Sequence, residues 1–166
     1  MERDVSIDAL AELLAVSTMT LATSNANGQP HAAPVYFAAG AYPSSDFASS
    51  PGISVTLQAP DLYFFSDPQS QHGRDLAANP YAGAAIYPPC FDWQDIRGLQ
   101  MRGIVERVEK GAGWDLGWSL YRAKFPFASG LMEIVSRNTM YVLIPGWLRL
   151  VDNRRGFGFK QEWERS

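Results

Sequence analysis

The chain has 166 residues, 46% of them apolar and 13% aromatic, with 14 basic against 17 acidic side chains and a net charge of -3. That length suits one domain, residues 1–166, burying roughly two-thirds of its unfolded surface, and the near balance of charge argues against a nucleic-acid binder. Cys90 is the only cysteine, which excludes an internal disulfide, and no apolar run approaches the ~20 residues needed to span a bilayer.

The opening MERDVSIDALAELL has acidic residues beside Arg3 and no long apolar core, so it does not read as a targeting peptide, and a cytoplasmic protein is expected. Ser6 is placed to cap a helix over about Ile7 to Val16, with Ile7, Leu10, Leu13 and Leu14 on one face. Thr18 to Thr23 is β-branched and reads as a strand. Asn25-Ala26-Asn27-Gly28 is hairpin-turn chemistry, and Gln29 to Phe37 returns as the second strand. Pro34 within it implies an edge or a position whose amide is not needed for pairing.

Gly40 to Pro60 is dominated by small and turn-forming residues. It predicts a long excursion between strands, interrupted by a short strand at Ile53 to Leu57. Leu62-Tyr63-Phe64-Phe65 follows as an apolar strand. A polar turn leads from it into a helix that opens at Ser70-Gln71-His72 and stops at Asn79-Pro80. A strand feeding a helix in this way is an anion site, because first-turn amides lack intrahelical partners and the dipole favours negative charge. Ser70, Gln71 and His72 stand where a phosphate would sit, and a phosphate there would favour the protonated imidazole.

Ala82 to Tyr87 is the next strand, ended by Pro88-Pro89. Asp95 to Val108 is a long one, with Gly98 and Gly103 marking bulges or close approaches. Trp114 to Lys124 has helical spacing, Phe125-Pro126 ends it, and a short helix follows from Ala128 to Val135. Met140 to Ile144, Trp147 to Val151 and Phe157 to Trp163 complete the strands, with turns at Pro145-Gly146 and Asp152-Asn153. Hairpin turns outnumber helical crossovers. The expected class is mainly β, an antiparallel barrel with peripheral helices.

Conventional catalytic signatures are missing. There are two histidines, His31 and His72, no zinc-ligand spacing and no nucleophile elbow. Gly111-Ala112-Gly113 begins like a dinucleotide fingerprint, but Gly117 comes one place late and the run sits in a polar turn before a helix. No metal site and no catalytic acid or base is read from the chain.

Taken in order, the pieces resemble the flavin-binding split-barrel superfamily that includes pyridoxamine 5'-phosphate oxidase. They are the hairpin ending in Gln29-Pro30-His31-Ala32-Ala33-Pro34-Val35, the strand Leu62 to Asp67, and the helix from Ser70 to Asn79-Pro80. The strand Ile96 to Gly103 and the tail from Trp147-Leu148-Arg149-Leu150-Val151-Asp152-Asn153 to Arg155-Gly156-Phe157-Gly158-Phe159-Lys160 complete the match. The resemblance implies an antiparallel split β-barrel of about six to eight strands. It also implies a homodimer with flavin mononucleotide (FMN) at the subunit interface.

By matching position, Phe65, Ser66, Ser70, Gln71 and His72 would hold the phosphate and ribityl chain. The backbone of Pro34, Val35 and Tyr36 would run beside the isoalloxazine ring, and Gln100 would reach its pyrimidine edge. The tail around Asp152, Asn153, Phe157 and Lys160 would come from the partner subunit, and Trp147 would lie near the ring. The cofactor would carry the electrons and the protein would orient it.

Two departures stand out. The family's Arg-Lys phosphate pair is Gln71-His72 here, with Arg74 one turn along as a substitute cation. The Tyr-x-x-x-Arg-Pro-x-x-Ser element that grips pyridoxamine phosphate is Tyr121 to Ser129 with Phe125 in place of arginine, and the later Arg-x-His pair is Phe157 and Phe159. Each lost charge-assisted bond is worth about 1.5–3 kcal/mol. The expectation is therefore an FMN-dependent oxidoreductase of apolar or aromatic substrates that does not oxidise pyridoxamine phosphate. The alternatives are a non-catalytic flavin-sensing module, a deazaflavin binder, or a haem-handling barrel with His31 or His72 as axial ligand.

Overall fold

The structure, a computed structural model, describes residues 5–40 and 59–165. The expected strand at Ile53 to Leu57, and nearly all of the excursion around it, lie outside the described residues. The described chain forms α1 (Val5–Leu14), β1 (Thr18–Ser24), β2 (Pro30–Tyr36), β3 (Ala38–Gly40), β4 (Asp61–Ser66), α2 (Gln71–Ala78), β5 (Tyr81–Ile86), β6 (Arg97–Arg107), α3 (Ala112–Lys124), α4 (Met132–Arg137), β7 (Thr139–Asp152) and β8 (Lys160–Glu164). Short 3-10 turns lie at Trp93–Asp95, Pro126–Leu131 and Asn153–Arg155.

The strands make one antiparallel sheet in the order β2-β1-β5-β6-β7-β4-β3, with β8 added to β7. Only Phe37 separates β2 from β3, so one segment pairs with β1 through its first half and with β4 through its second. The two ends of the sheet are thereby joined by the chain itself. This is a split barrel, as the resemblance implies, and its antiparallel pairing is what the hairpin-dominated sequence predicts. Among the described residues β2 pairs with β1 alone, so Pro34 costs the sheet no ladder bond on its other side.

Alternation decides the two cores. Leu62 and Phe64 point inward with Met19, Leu21, Leu99 and Leu143, and α1 adds Leu10 and Leu13. Each such side chain contributes about 1.5–3 kcal/mol on burial. Tyr63 points the other way, into a second cluster where Trp118, Tyr121 and Phe125 of α3 and its C-cap cover the outside of β3 and β4. Gly117 lies inside α3, where an added Cβ would stand 2.5 Å from the Tyr63 ring and 2.7 Å from the Met140 sulfur. Lys124 ties this helix to the end of α1, donating to the carbonyls of Leu14 (2.9 Å) and Val16 (2.7 Å).

Two expectations are corrected. α1 begins at Val5 rather than after Ser6, which falls inside it. Pro145-Gly146 is not a turn, because β7 runs through it for 14 residues. The reason is a bulge: Arg102 pairs with Trp147 but Gly103 with Pro145, so Gly146 is an extra residue. Gly103 is required there, since a Cβ would lie 2.0 Å from the Ile144 carbonyl oxygen.

Candidate functional site

The turn from β4 into α2 forms where the sequence predicts it. Asp67 accepts the Gln69 amide on Oδ1 (2.8 Å), and the Ser70 hydroxyl donates to the Asp67 carbonyl (2.7 Å). Ser70 is the N-cap of α2, accepting the Gly73 amide at 3.2 Å. The helix lies so close to the turn that a Cβ on Gly73 would stand 2.6 Å from the Asp67 carbonyl oxygen and 2.7 Å from that of Pro68. The amides of Gln71 and His72 precede the first intrahelical bond and face outward from the helix start.

Around this start three expected residues converge. Ser66 Oγ lies 3.3 Å from Ser70 Oγ and makes a short hydrogen bond with His72 Nε2. The other histidine joins them from β2: the His31 and His72 rings are stacked, 15° from parallel with centroids 6.2 Å apart. Beneath them Asp75, 2% exposed, accepts from Thr23 Oγ1 and from Gln71 Nε2, both at 2.8 Å. Burial alone would raise the Asp75 carboxyl. The Thr23 and Gln71 hydrogen bonds, with His31 and Arg74 nearby, hold it below its ordinary range. Burial, and after it the nearby His31, push His72 below its ordinary value, with Asp75 opposing.

Gln71 bonds Asp75 and accepts from Arg74 at 3.0 Å. Arg74, expected as a substitute cation, has its guanidinium bonded to the Gln69 carbonyl and to Gln71. Pro34 and Tyr36 face outward from β2 while Val35 packs against the core. Tyr36, 48% exposed, makes edge contacts with Phe125 (5.2 Å) and Phe127 (6.0 Å). Phe65 lies under α3, edge-on to Tyr121 at 5.1 Å and Trp118 at 5.9 Å.

The remaining expected residues lie elsewhere in the subunit. Register places Pro34, Thr20, Ala85, Gln100 and Arg149 in one row across β2-β1-β5-β6-β7. Gln100 is thus three strand spacings from Pro34, about 14 Å. It accepts from Arg149 at 3.5 Å. Trp147 has the guanidinium carbons of Arg102 and Arg149 4.6 and 4.9 Å from its ring centre. It lines an open groove of about 880 Å³ on the outer face, with Ala22, Gly83, Gly103 and Ile104. Asn153 is a turn residue, donating to the Trp93 carbonyl (2.8 Å) and accepting the Gly158 amide (3.1 Å). Phe157 is 85% exposed against Trp93, and Lys160 is exposed on β8.

The sequence reading assigned no part in the anion site to His31, Thr23 or Asp75. Their signal was slight: both histidines of the chain meet here, and His31 stands opposite Thr23 in the hairpin register. As a donor set, the Ser66 hydroxyl, the first α2 amides and an imidazole suit a phosphate monoester. Among the described residues one cation stands beside that set, Arg74, bonded to Gln69 and Gln71 of the same turn. Among the described residues, too, no cluster of side chains suits a metal ion, and no helix is long and apolar enough to cross a membrane.

Fold and site together define a split barrel with a polar turn between β4 and α2. The family model for pyridoxamine 5'-phosphate oxidase matches residues 7–144, and the chain belongs to that family. A pyridoxine/pyridoxamine 5'-phosphate oxidase of Cupriavidus metallidurans is 32% identical over 122 residues, 73% of this chain and 45% of that protein. Among solved structures, a heme binding protein from Mycobacterium smegmatis superposes with a TM-score of 0.72 at 20% identity, covering 99% of this chain and 59% of its own. HutZ, the heme storage protein of Vibrio cholerae, superposes with a TM-score of 0.61 at 15% identity, covering 87% of this chain and 91% of its own. The chain therefore spans about half the length of the named oxidase, and the likeness to the heme proteins is one of fold.

Proposed function

We propose that the protein binds FMN, with the phosphate at the Ser66–His72 turn, and acts as a flavin-dependent oxidoreductase in a homodimer. The observation that carries this reading is the convergence of Ser66, Ser70 and His72 on the exposed start of α2. Ser66 and the Gln71 and His72 amides would hold the phosphate, and Ser70 would hold the turn in shape. The β2 segment Pro34-Val35-Tyr36 would flank the ring. Bound flavin supplies the redox chemistry, and the protein supplies position and electrostatics.

Pyridoxamine phosphate is not the expected substrate. Phe125, in the place of the substrate-gripping arginine, is 4% exposed and packs edge-on against Tyr36. The exposed aromatic face of Tyr36, with Phe127 behind it, favours an apolar or aromatic substrate. Purified protein reconstituted with FMN and mixed with reduced nicotinamide cofactor is the test. Bleaching of the flavin band supports an oxidoreductase, and an unreduced flavin with every donor supports a sensing module.

One observation favours a second reading, haem binding: two stacked histidines at the barrel rim, in a fold shared with proteins named for heme. The absorption spectrum of whatever copurifies separates the two. Flavin bands carry the first reading, and a Soret band lost in His31→Ala or His72→Ala carries the second.

A further inference from the structure

The histidine pair has a consequence for how the site takes a charged ligand. Ser66 and Ser70 are its two hydroxyls, and the Ser70 proton is already directed at the Asp67 carbonyl. Ser66 is hydrogen-bonded to His72 Nε2, and the direction of that bond depends on the ring. A neutral ring with its proton on Nδ1 takes the Ser66 proton and leaves no hydroxyl donor for an anion. A neutral ring with its proton on Nε2 releases Ser66 but brings no charge. Only the protonated ring does both.

The groups facing the pair are few. His72 faces His31 from β2 and Asp75 from its own helix, and Asp75 faces both Thr23 and Arg74. Arg74 is bound to Gln69 and Gln71, and Asp67 is occupied by the Gln69 amide. The His31 ring lies against that of His72, and like charges at that separation repel. With the site empty, burial and the neighbouring ring disfavour the charged form of His72. A phosphate dianion reverses the balance.

We propose that occupation of the Ser66–His72 site by a phosphate monoester is coupled to uptake of one proton by His72, whose ring bonds Ser66 and stacks on His31. Where an arginine and a lysine would make a permanently charged clamp, His72 makes one that charges when filled. Loading is then steeply favoured by acid. This rests on the proposed binding of FMN at that turn.

Calorimetric titration of the full chain with FMN at pH 7.5, in Tris and in HEPES, counts protons from the buffer dependence of the heat. At that pH the free monoester, with a second pKa of about 6, is already a dianion, so protons taken up come to the protein. The expected result is uptake close to one proton, with the FMN dissociation constant rising about tenfold from pH 7.5 to 8.5. His72→Arg is expected to bind without uptake and with a flat pH profile. The double variant His31→Gln/His72→Gln is expected to bind weakly with no uptake. FMN binding by the unaltered protein with no proton uptake overturns the coupling and leaves the flavin reading standing. Uptake undiminished in the double variant also overturns it. Failure of the unaltered protein to bind FMN at any pH from 6 to 8.5 overturns the flavin reading itself.

Discussion

The turn after β4 and the tail after β7 were expected to form two halves of one site, yet the subunit keeps them apart. Ser66 pairs with Thr139 at the start of β7 and Asp152 closes its end, so the two regions stand at opposite ends of a 14-residue strand. At the turn, residues separated by eight or fewer positions meet because the backbone reverses once and a helix starts. In the tail the same kinds of residue serve their own neighbourhood: Asn153 braces Trp93 and Gly158, and Asp152 pairs with Arg154 and Arg155. Local motifs build local geometry.

The contrast can be broken hardest at Gly73. Gly73→Ala forces a Cβ against two backbone carbonyls, which cannot yield as side-chain tips do. A loss of about 1–3 kcal/mol is expected in chemical denaturation, together with loss of FMN binding. Retained binding would mean that the turn is not the phosphate site. Ser66→Ala should weaken FMN by tenfold or more, the worth of about 1.5–3 kcal/mol for a hydrogen bond to a charged group. Its stability should change little, and fluorescence titration of the flavin measures the affinity.

The tail should respond in the opposite sense. Asp152 is held well below its ordinary value by its hydrogen bonds to Arg154, with Arg155 adding to the attraction. The unfolded chain therefore binds the extra proton, and the stabilisation is complete above about pH 4. It is lost as pH falls through the folded value. Asp152→Asn should flatten the acid limb of the stability profile measured by denaturation at pH 2 to 6, without altering FMN affinity at pH 7. The smallest expected effect is at Phe157, which is 85% exposed. Phe157→Ala should leave stability within about 0.5 kcal/mol. A threefold or greater loss of FMN affinity in that variant would bring the tail to the site across a subunit interface. An unchanged affinity would confine it to its own end of the barrel.

Much of the architecture was legible because its signals are short-range. Asn25 to Gly28 announced a hairpin, Ser70 a helix cap and Asn79-Pro80 a helix end, and each forms where the residues place it. Pro145-Gly146 misled for a physical reason. A proline that ordinarily ends a strand is harmless where a bulge already interrupts the ladder, and that bulge is visible only once β6 and β7 are paired.

By itself the sequence determined the antiparallel class, the order of the elements and the polar turn from Ser66 to His72. Alternation, capping and turn chemistry act within a few residues, and no partner is needed to read them. The tertiary structure decided which charges and rings meet. It brought His31 over His72, tied Gln71 to Asp75 and Arg74 to Gln71, and put Gln100 and Trp147 on another face. Those outcomes depend on sheet register and barrel closure, which sum many weak pairings along the whole chain, and no local pattern contains them.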